Sequence, residues 1–383
     1  MTLTHRERVR AVLSGERLDQ PVADLGGRVA SLSTPAYLEL KAHLGYGVGL
    51  TDETVTLLNT IGRFDERVLQ HFDVPFRRVY LRPPSTFRLV VADDGSFHDE
   101  WGVGYRPIGP YNERVGHPLA QATLADLEHF PWPDPHDPGR VEGLAEEARR
   151  LYEETDYSLV AGAISAGIFQ DCWNLRGMAQ FFEDMALNRE FAEALLDRVL
   201  VIHIALWEHF LEAVGEYVDM VETADDLGSQ RGLLISPRMY RDLIKPRHTA
   251  LNAAIRARTR AKIFFHSCGA IMALIDDFID SGIDVLNPIQ PVPGLMDPEE
   301  LKARYGGRLT FHGGLDVQSL LLTGTPDKVR AEVRRYLDVL GSESYIMAPA
   351  NSVQPGTAPE NLVAAYEAAR NHPLIRQANG LEV

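Results

Sequence analysis

Two hydrophobic patterns alternate along the chain. Short β-branched and apolar runs predict buried strands, and longer stretches with apolar residues every three to four positions predict amphipathic helices. Eight strands are expected, at residues 22–27, 77–81, 157–163, 217–222, 261–266, 284–288, 309–312 and 345–348. Between them lie helical stretches such as 178–213, 237–258 and 328–340. In the last of these Val329, Val333, Leu337 and Leu340 recur at helical spacing. Eight strands alternating with helices predict an α/β fold, a (β/α)8 TIM barrel forming one domain over residues 1–383. The doubly wound sheet is the runner-up, but no Gly-rich phosphate turn follows the first strand.

One region breaks the alternation. Residues 86–91 and 97–101 flank Asp94-Gly95 and predict a β-hairpin, and the stretch from there to Pro138 is rich in Gly and Pro. Residues 85–140 therefore read as an insertion after the early strands, a lid or partner surface at one end of the barrel. Its aromatics, Trp101, Tyr105, Tyr111 and Trp132, offer an apolar wall to an organic ligand.

Composition changes the picture in three ways. Over 383 residues, 38 Lys and Arg oppose 54 Asp and Glu, a formal charge of −16. Such a surface disfavours nucleic acid and anionic membrane as partners. No apolar run is long enough to span a bilayer, and the charged opening has no apolar leader core, which predicts a cytoplasmic protein. Cys172 and Cys268, alone and far apart, are no disulfide framework and fit a reducing compartment.

Chemistry in a barrel sits at the C-terminal ends of the strands. Polar groups cluster at four predicted ends: Glu222 with Asp225 and Asp226, His266 with Cys268, His312 with Gly313 and Gly314, and Asn351. Residues i and i+2 of an extended segment point the same way, so His266 and Cys268 converge. Imidazole and thiolate are preferred zinc ligands, although two ligands alone are not a site, and a buried thiol with a backbone-bonded histidine has the same spacing. Asp225 and Asp226 point to opposite faces, so one of them reaches the mouth as ligand or base while the other caps a turn.

These segments resemble the uroporphyrinogen decarboxylase family and its zinc-dependent corrinoid methyltransferase relatives. The resemblance runs from the opening helix at Thr4-His-Arg-Glu-Arg through Asp225-Asp226-Leu-Gly-Ser-Gln and Phe264-Phe-His-Ser-Cys-Gly. It continues through Asp284-Val-Leu-Asn-Pro-Ile-Gln-Pro and Phe311-His-Gly-Gly-Leu-Asp to Ala348-Pro-Ala-Asn-Ser-Val-Gln-Pro. It implies a (β/α)8 barrel, and within the family two chemistries compete. Decarboxylation of uroporphyrinogen uses an Arg-rich segment after the first strand, where this chain has Arg28 alone. The methyltransferase branch holds zinc through His-x-Cys, matched by His266 and Cys268, and a second Cys near the last strand, where this chain has Asn351. Glu222, Asp225, Asp226 and His312 are the candidates to complete the set, Glu222 as a ligand and Asp225, Asp226 and His312 also as catalytic groups. Arg28, Gln290 and Asn351 are the substrate-binding candidates.

The resemblance thus implies a Zn²⁺-dependent methyltransferase or demethylase acting on a small-molecule methyl donor or acceptor. Its cobalamin is expected on a separate corrinoid protein, because no Asp-x-His-x-x-Gly segment occurs here. A homodimer is the family-level expectation. The alternatives are a uroporphyrinogen-type decarboxylase and a metal-free small-molecule-binding barrel.

Overall fold

A computed structural model describes residues 3–47, 49–50 and 55–372. The eight apolar runs form β1 (Val22–Ala23), β2 (Phe76–Val79), β3 (Ser158–Ala161) and β4 (Met220–Ala224), then β5 (Lys262–His266), β6 (Val285–Asn287), β7 (Thr310–Leu315) and β8 (Tyr345–Pro349). Every pairing among them is parallel, in the order β1-β8-β7-β6-β5-β4-β3-β2. The strands thus follow chain order around an α/β TIM barrel, with β8 returning to β1. Parallel strands enclosed by helices are buried on both faces, which is why β7 and β8 read as continuous runs rather than alternating ones.

Among the described residues, β1 and β2 share no ladder. An ion pair bridges that junction instead. Arg78 of β2 donates from Nη2 to Asp24 Oδ2 at 2.5 Å and from Nη1 to Oδ1 at 3.2 Å, and Asp24 directly follows β1. The backbone lies against this guanidinium: a Cβ on Gly27 would sit 2.7 Å from Arg78 Nε, and one on Gly26 2.9 Å from Nη1. Glycine is what lets the chain pass so close, and both residues also have positive φ.

The outer helices follow the predicted periodicity with two differences. The 178–213 stretch is two helices, Met178–Leu187 and Arg189–Val214. The 237–258 stretch passes through a π-helical turn, Tyr240–Ile244, before Lys245–Arg258. Pro246 has no N–H for the carbonyl of Asp242, so the regular helical ladder cannot run through unbroken. Helix Pro326–Leu340 buries Val329, Val333, Tyr336, Leu337 and Leu340 on one stripe. The Thr325 hydroxyl accepts from Lys328 N at its start, and Gly341 at φ +78° ends it. No helix among the described residues is long and apolar enough to cross a membrane.

The insertion differs in pairing from its prediction. Asp94-Gly95 does form a turn, but Phe97–His98 pairs with Gly104–Ile108 rather than with 86–91, and Gly104–Ile108 pairs in turn with Tyr111–Gly116. The 86–91 arm finds no covering face: Leu89, Val90 and Val91 are 46%, 75% and 56% exposed. A strand with neither face buried has little to hold it in register.

Candidate metal centre at the barrel mouth

Strand β5 ends at His266 and runs into Ser267-Cys268-Gly269. The extended backbone alternates sides: Ser267 turns away to accept from Leu227 N at 3.0 Å, while His266 Nε2 and Cys268 Sγ lie 3.2 Å apart. Asp226, just past the end of β4, places Oδ1 3.6 Å from His266 Nε2 and accepts from Cys268 N at 2.8 Å. The three ligand atoms lie within 4.8 Å of one another.

The loop that presents Cys268 is tightly held. Gly269 N donates to Gln290 Oε1 at 2.6 Å, and a Cβ on Gly269 (φ +85°) would fall 2.4 Å from Ser229 N. Asn351, past the end of β8, donates from Nδ2 to Cys268 Sγ at 3.2 Å. Burial pushes the Cys268 thiol well above its ordinary pKa, and the Asp226 carboxylate acts in the same direction.

The donor set fits zinc. Bond lengths of about 2.3 Å to sulfur and about 2.0–2.2 Å to nitrogen and oxygen, at tetrahedral angles, put N and S about 3.6 Å apart and N and O about 3.4 Å apart. The distances here are 3.2 and 3.6 Å. A divalent cation would also offset the two influences that hold the thiol protonated.

Behind these donors runs a buried chain of polar contacts that spacing along the sequence does not reveal. His266 Nδ1 faces Asn287 Oδ1 at 2.5 Å, and Asn287 Nδ2 faces His312 Nδ1 at 2.8 Å. His312 Nε2 faces Asp24 Oδ2 at 3.1 Å, and Arg78, bound to Asp24, also donates from Nε to Glu222 Oε1 at 2.8 Å. Asp24, Asn287 and His312 are wholly buried. Burial alone would raise the Asp24 carboxyl, but Arg78 and His312 outweigh it and hold it well below the usual carboxylate range. Asp24 and Asn287 stand at strand ends, so the strand-end rule that singled out His266 applies to them equally. Arg78 lies inside the predicted strand 77–81 rather than at its end and carries no such signal.

The remaining candidates divide. Asp225 stays out of the donor cluster: its carboxylate accepts from Phe169 N and Gln170 N at 2.8 Å and faces His248 Nε2 at 2.9 Å, so it caps helix Ile168–Arg176 from a neighbouring strand. Burial raises its carboxyl despite those donors. Glu222 is held by Arg78 and its Oε2 has no partner, but it does not join His266 and Cys268. His312 is one residue removed from them, beyond Asn287. Arg28 is exposed and lines a cavity of about 1430 Å³ beneath the insertion, together with Tyr80, Trp101, Tyr105 and Ser165. Gln290 and Asn351 border a separate recess of about 40 Å³.

A barrel with a His-x-Cys and a carboxylate at adjoining strand ends defines a class of enzyme scaffold, and comparison with known proteins places it. Residues 111–372 match the Uroporphyrinogen decarboxylase (URO-D) family, so the chain belongs to that family. A uroporphyrinogen decarboxylase from Danio rerio is 30% identical over 98 residues, which are 26% of this chain and 25% of that protein. The match therefore spans about a quarter of the length of that curated relative. Among solved structures, a methyltransferase from Methanosarcina mazei superposes with a TM-score of 0.66 at 20% identity, covering 96% of this chain and 98% of the other. A B12-independent methionine synthase from a Shewanella species gives 0.45 at 13% identity, covering 94% and 99%.

Proposed function

We propose that this chain is a zinc-dependent methyltransferase of the uroporphyrinogen decarboxylase superfamily. It would move a methyl group between a small O- or N-methyl substrate, or a thiol, and a corrinoid carried by a partner protein. The observation that carries this reading is the convergence of Asp226, His266 and Cys268 at zinc-compatible separations. The neighbour from Methanosarcina mazei is named a methyltransferase, and this reading extends that chemistry to the present chain.

Zinc bound here would supply Lewis acidity, lowering the pKa of a bound thiol or assisting a departing heteroatom. The chain's own groups prepare that site. His266 and Cys268 supply nitrogen and sulfur donors, and Asp226 adds a carboxylate whose charge balances the cation. Gln290, by accepting from Gly269 N, and Asn351, by donating to Sγ, hold the sulfur in place. The cavity under the insertion, lined by Tyr80, Trp101 and Tyr105 together with charged groups such as Glu100 and Arg114, would accept a polar organic group, with Arg28 at its edge.

Protein purified without added metal is expected to carry one zinc per chain, and Cys268→Ala to lose it while keeping its thermal transition. Methyl transfer is then assayed with free methylcobalamin and a panel of thiols, and with cob(I)alamin and O- or N-methyl donors. Wild-type protein with neither bound metal nor metal-dependent transfer overturns the reading.

A further inference from the structure

The chain of contacts behind His266 has a direction. Asp24 is ionised, so its Oδ2 can only accept, and the facing His312 Nε2 must carry a proton. Asn287 Nδ2 can only donate, so the His312 Nδ1 that it faces accepts through its lone pair. The Asn287 amide turns Nδ2 toward it at 2.8 Å and leaves Oδ1 facing His266 at 2.5 Å. That oxygen accepts only from a protonated Nδ1. His266 Nε2 is thereby left with its lone pair, aimed at the side where Asp226 and Cys268 lie.

Reversing the amide would set Nδ2 against His266 Nδ1 and move the proton to Nε2, where it blocks ligation. Water has no access to Asn287, Asp24 or His312 to buffer such a reversal. The room for the amide is also shaped. A Cβ on Gly313 (φ +95°) would sit 3.3 Å from Asn287 Nδ2, tighter than an ordinary contact.

We propose that Asn287 is a positioning residue. Its side-chain amide carries the polarity of the Asp24–Arg78 pair through His312 to His266 and fixes Nε2 as the nitrogen free to ligate. Outer partners of this kind set the orientation and basicity of ligating imidazoles. The consequence for metal affinity rests on the zinc reading above, whereas the tautomer does not.

The test separates the two. In metal-free protein labelled with ¹⁵N-histidine at pH 7.5, long-range ¹H–¹⁵N spectra should show His266 protonated at Nδ1 and bare at Nε2, assigned by its loss in His266→Gln. His312 should show the opposite pattern. Asn287→Leu, which removes both contacts, should release His266 from that tautomer and weaken Zn²⁺ and Co²⁺ binding by roughly 10–100-fold. Asn287→Asp, which keeps an acceptor for Nδ1–H, should stay within about threefold of wild type, as a carboxylate behind a ligating imidazole would. His266 protonated at Nε2, His312 protonated at both nitrogens, or Asn287→Leu with unchanged metal affinity and unchanged tautomer would overturn the proposal. The predicted tautomers in a protein that binds no metal would sink the zinc reading and leave the assignment standing.

Discussion

Replacing Arg78 by Met should expose how much the mouth of this barrel depends on a single guanidinium. The substitution keeps much of the side-chain length and removes the charge. It leaves Asp24, wholly buried, and Glu222, 2% exposed, without their shared cation. Removing one partner of a buried ion pair costs about 3–5 kcal/mol, because the remaining charge stays desolvated and unmatched. An unfolding entropy of about 2.1 cal/mol/K per residue gives this chain about 0.8 kcal/mol/K, so Tm should fall by about 4–6 °C.

The pH dependence gives that number a sign. In the wild type Asp24 is held below its ordinary value, so its contribution is present above pH ~4 and is lost only as pH falls through the lower native value. In Arg78→Met only His312 still opposes burial at Asp24, and the buried carboxyl rises above its ordinary value of about 4. The penalty then grows as pH rises from the ordinary to the raised value, and eases toward acid. Thermal unfolding of both proteins at about pH 5 and about pH 8 should therefore show the larger gap at the higher pH. Adding Asp24→Asn and Glu222→Gln to Arg78→Met should recover most of the loss, since no buried charge remains. A Tm deficit under about 1 °C, or one equal at both pH values, would refute the reasoning.

Three further outcomes follow from the same geometry. Asn351→Cys places a second thiol where an amide now sits 3.2 Å from Cys268 Sγ, and should tighten zinc binding in a competition titration with a chromogenic chelator. Gly167→Ala should lower thermal stability by at least about 2 kcal/mol, a positive-φ strain with a clash added. Its Cβ would fall 2.1 Å from Ala224 O and 2.7 Å from Asp225 Cα at φ +123°; a neutral effect on Tm would contradict the packing of helix Ile168–Arg176 on β4. Uroporphyrinogen should be decarboxylated far more slowly than about 1 per second, an ordinary enzyme rate, because Arg28 stands alone after β1 and Arg78 is committed to Asp24 and Glu222. Turnover at or above that rate, followed by product chromatography, would show that another arginine of the large cavity, such as Arg82, holds the carboxylates.

Most of the strands were legible because a parallel strand shielded on both sides must be largely apolar, and short β-branched runs set between helical stretches suit little else; β2, with Arg77 and Arg78, is the exception. The convergence of His266 and Cys268 was legible for a local reason: residues two apart on an extended segment share a side, which needs no knowledge of the fold. The same alternation rule said that Asp225 and Asp226 part company, but not which of them turns toward His266. That depended on helix Ile168–Arg176, whose unpaired N–H groups at Phe169 and Gln170 claim Asp225 and leave Asp226 to the mouth.

The sequence by itself therefore determined the succession of strands and helices, the barrel they close into, and the pair of donors at the end of β5. Each of these follows from periodicities within a few residues of chain. Only the tertiary structure decided the partners of those donors. Asp24, Arg78, Asn287 and His312 come from four different strands, separated by up to 288 residues, and meet because the barrel closes β8 onto β1 and sets β2 beside Asp24. A hydrogen-bond chain across four strands leaves no period in sequence. Its direction is set by one ionised carboxylate at the far end, and in this barrel that end is the β1–β2 junction, where an ion pair stands in place of a ladder.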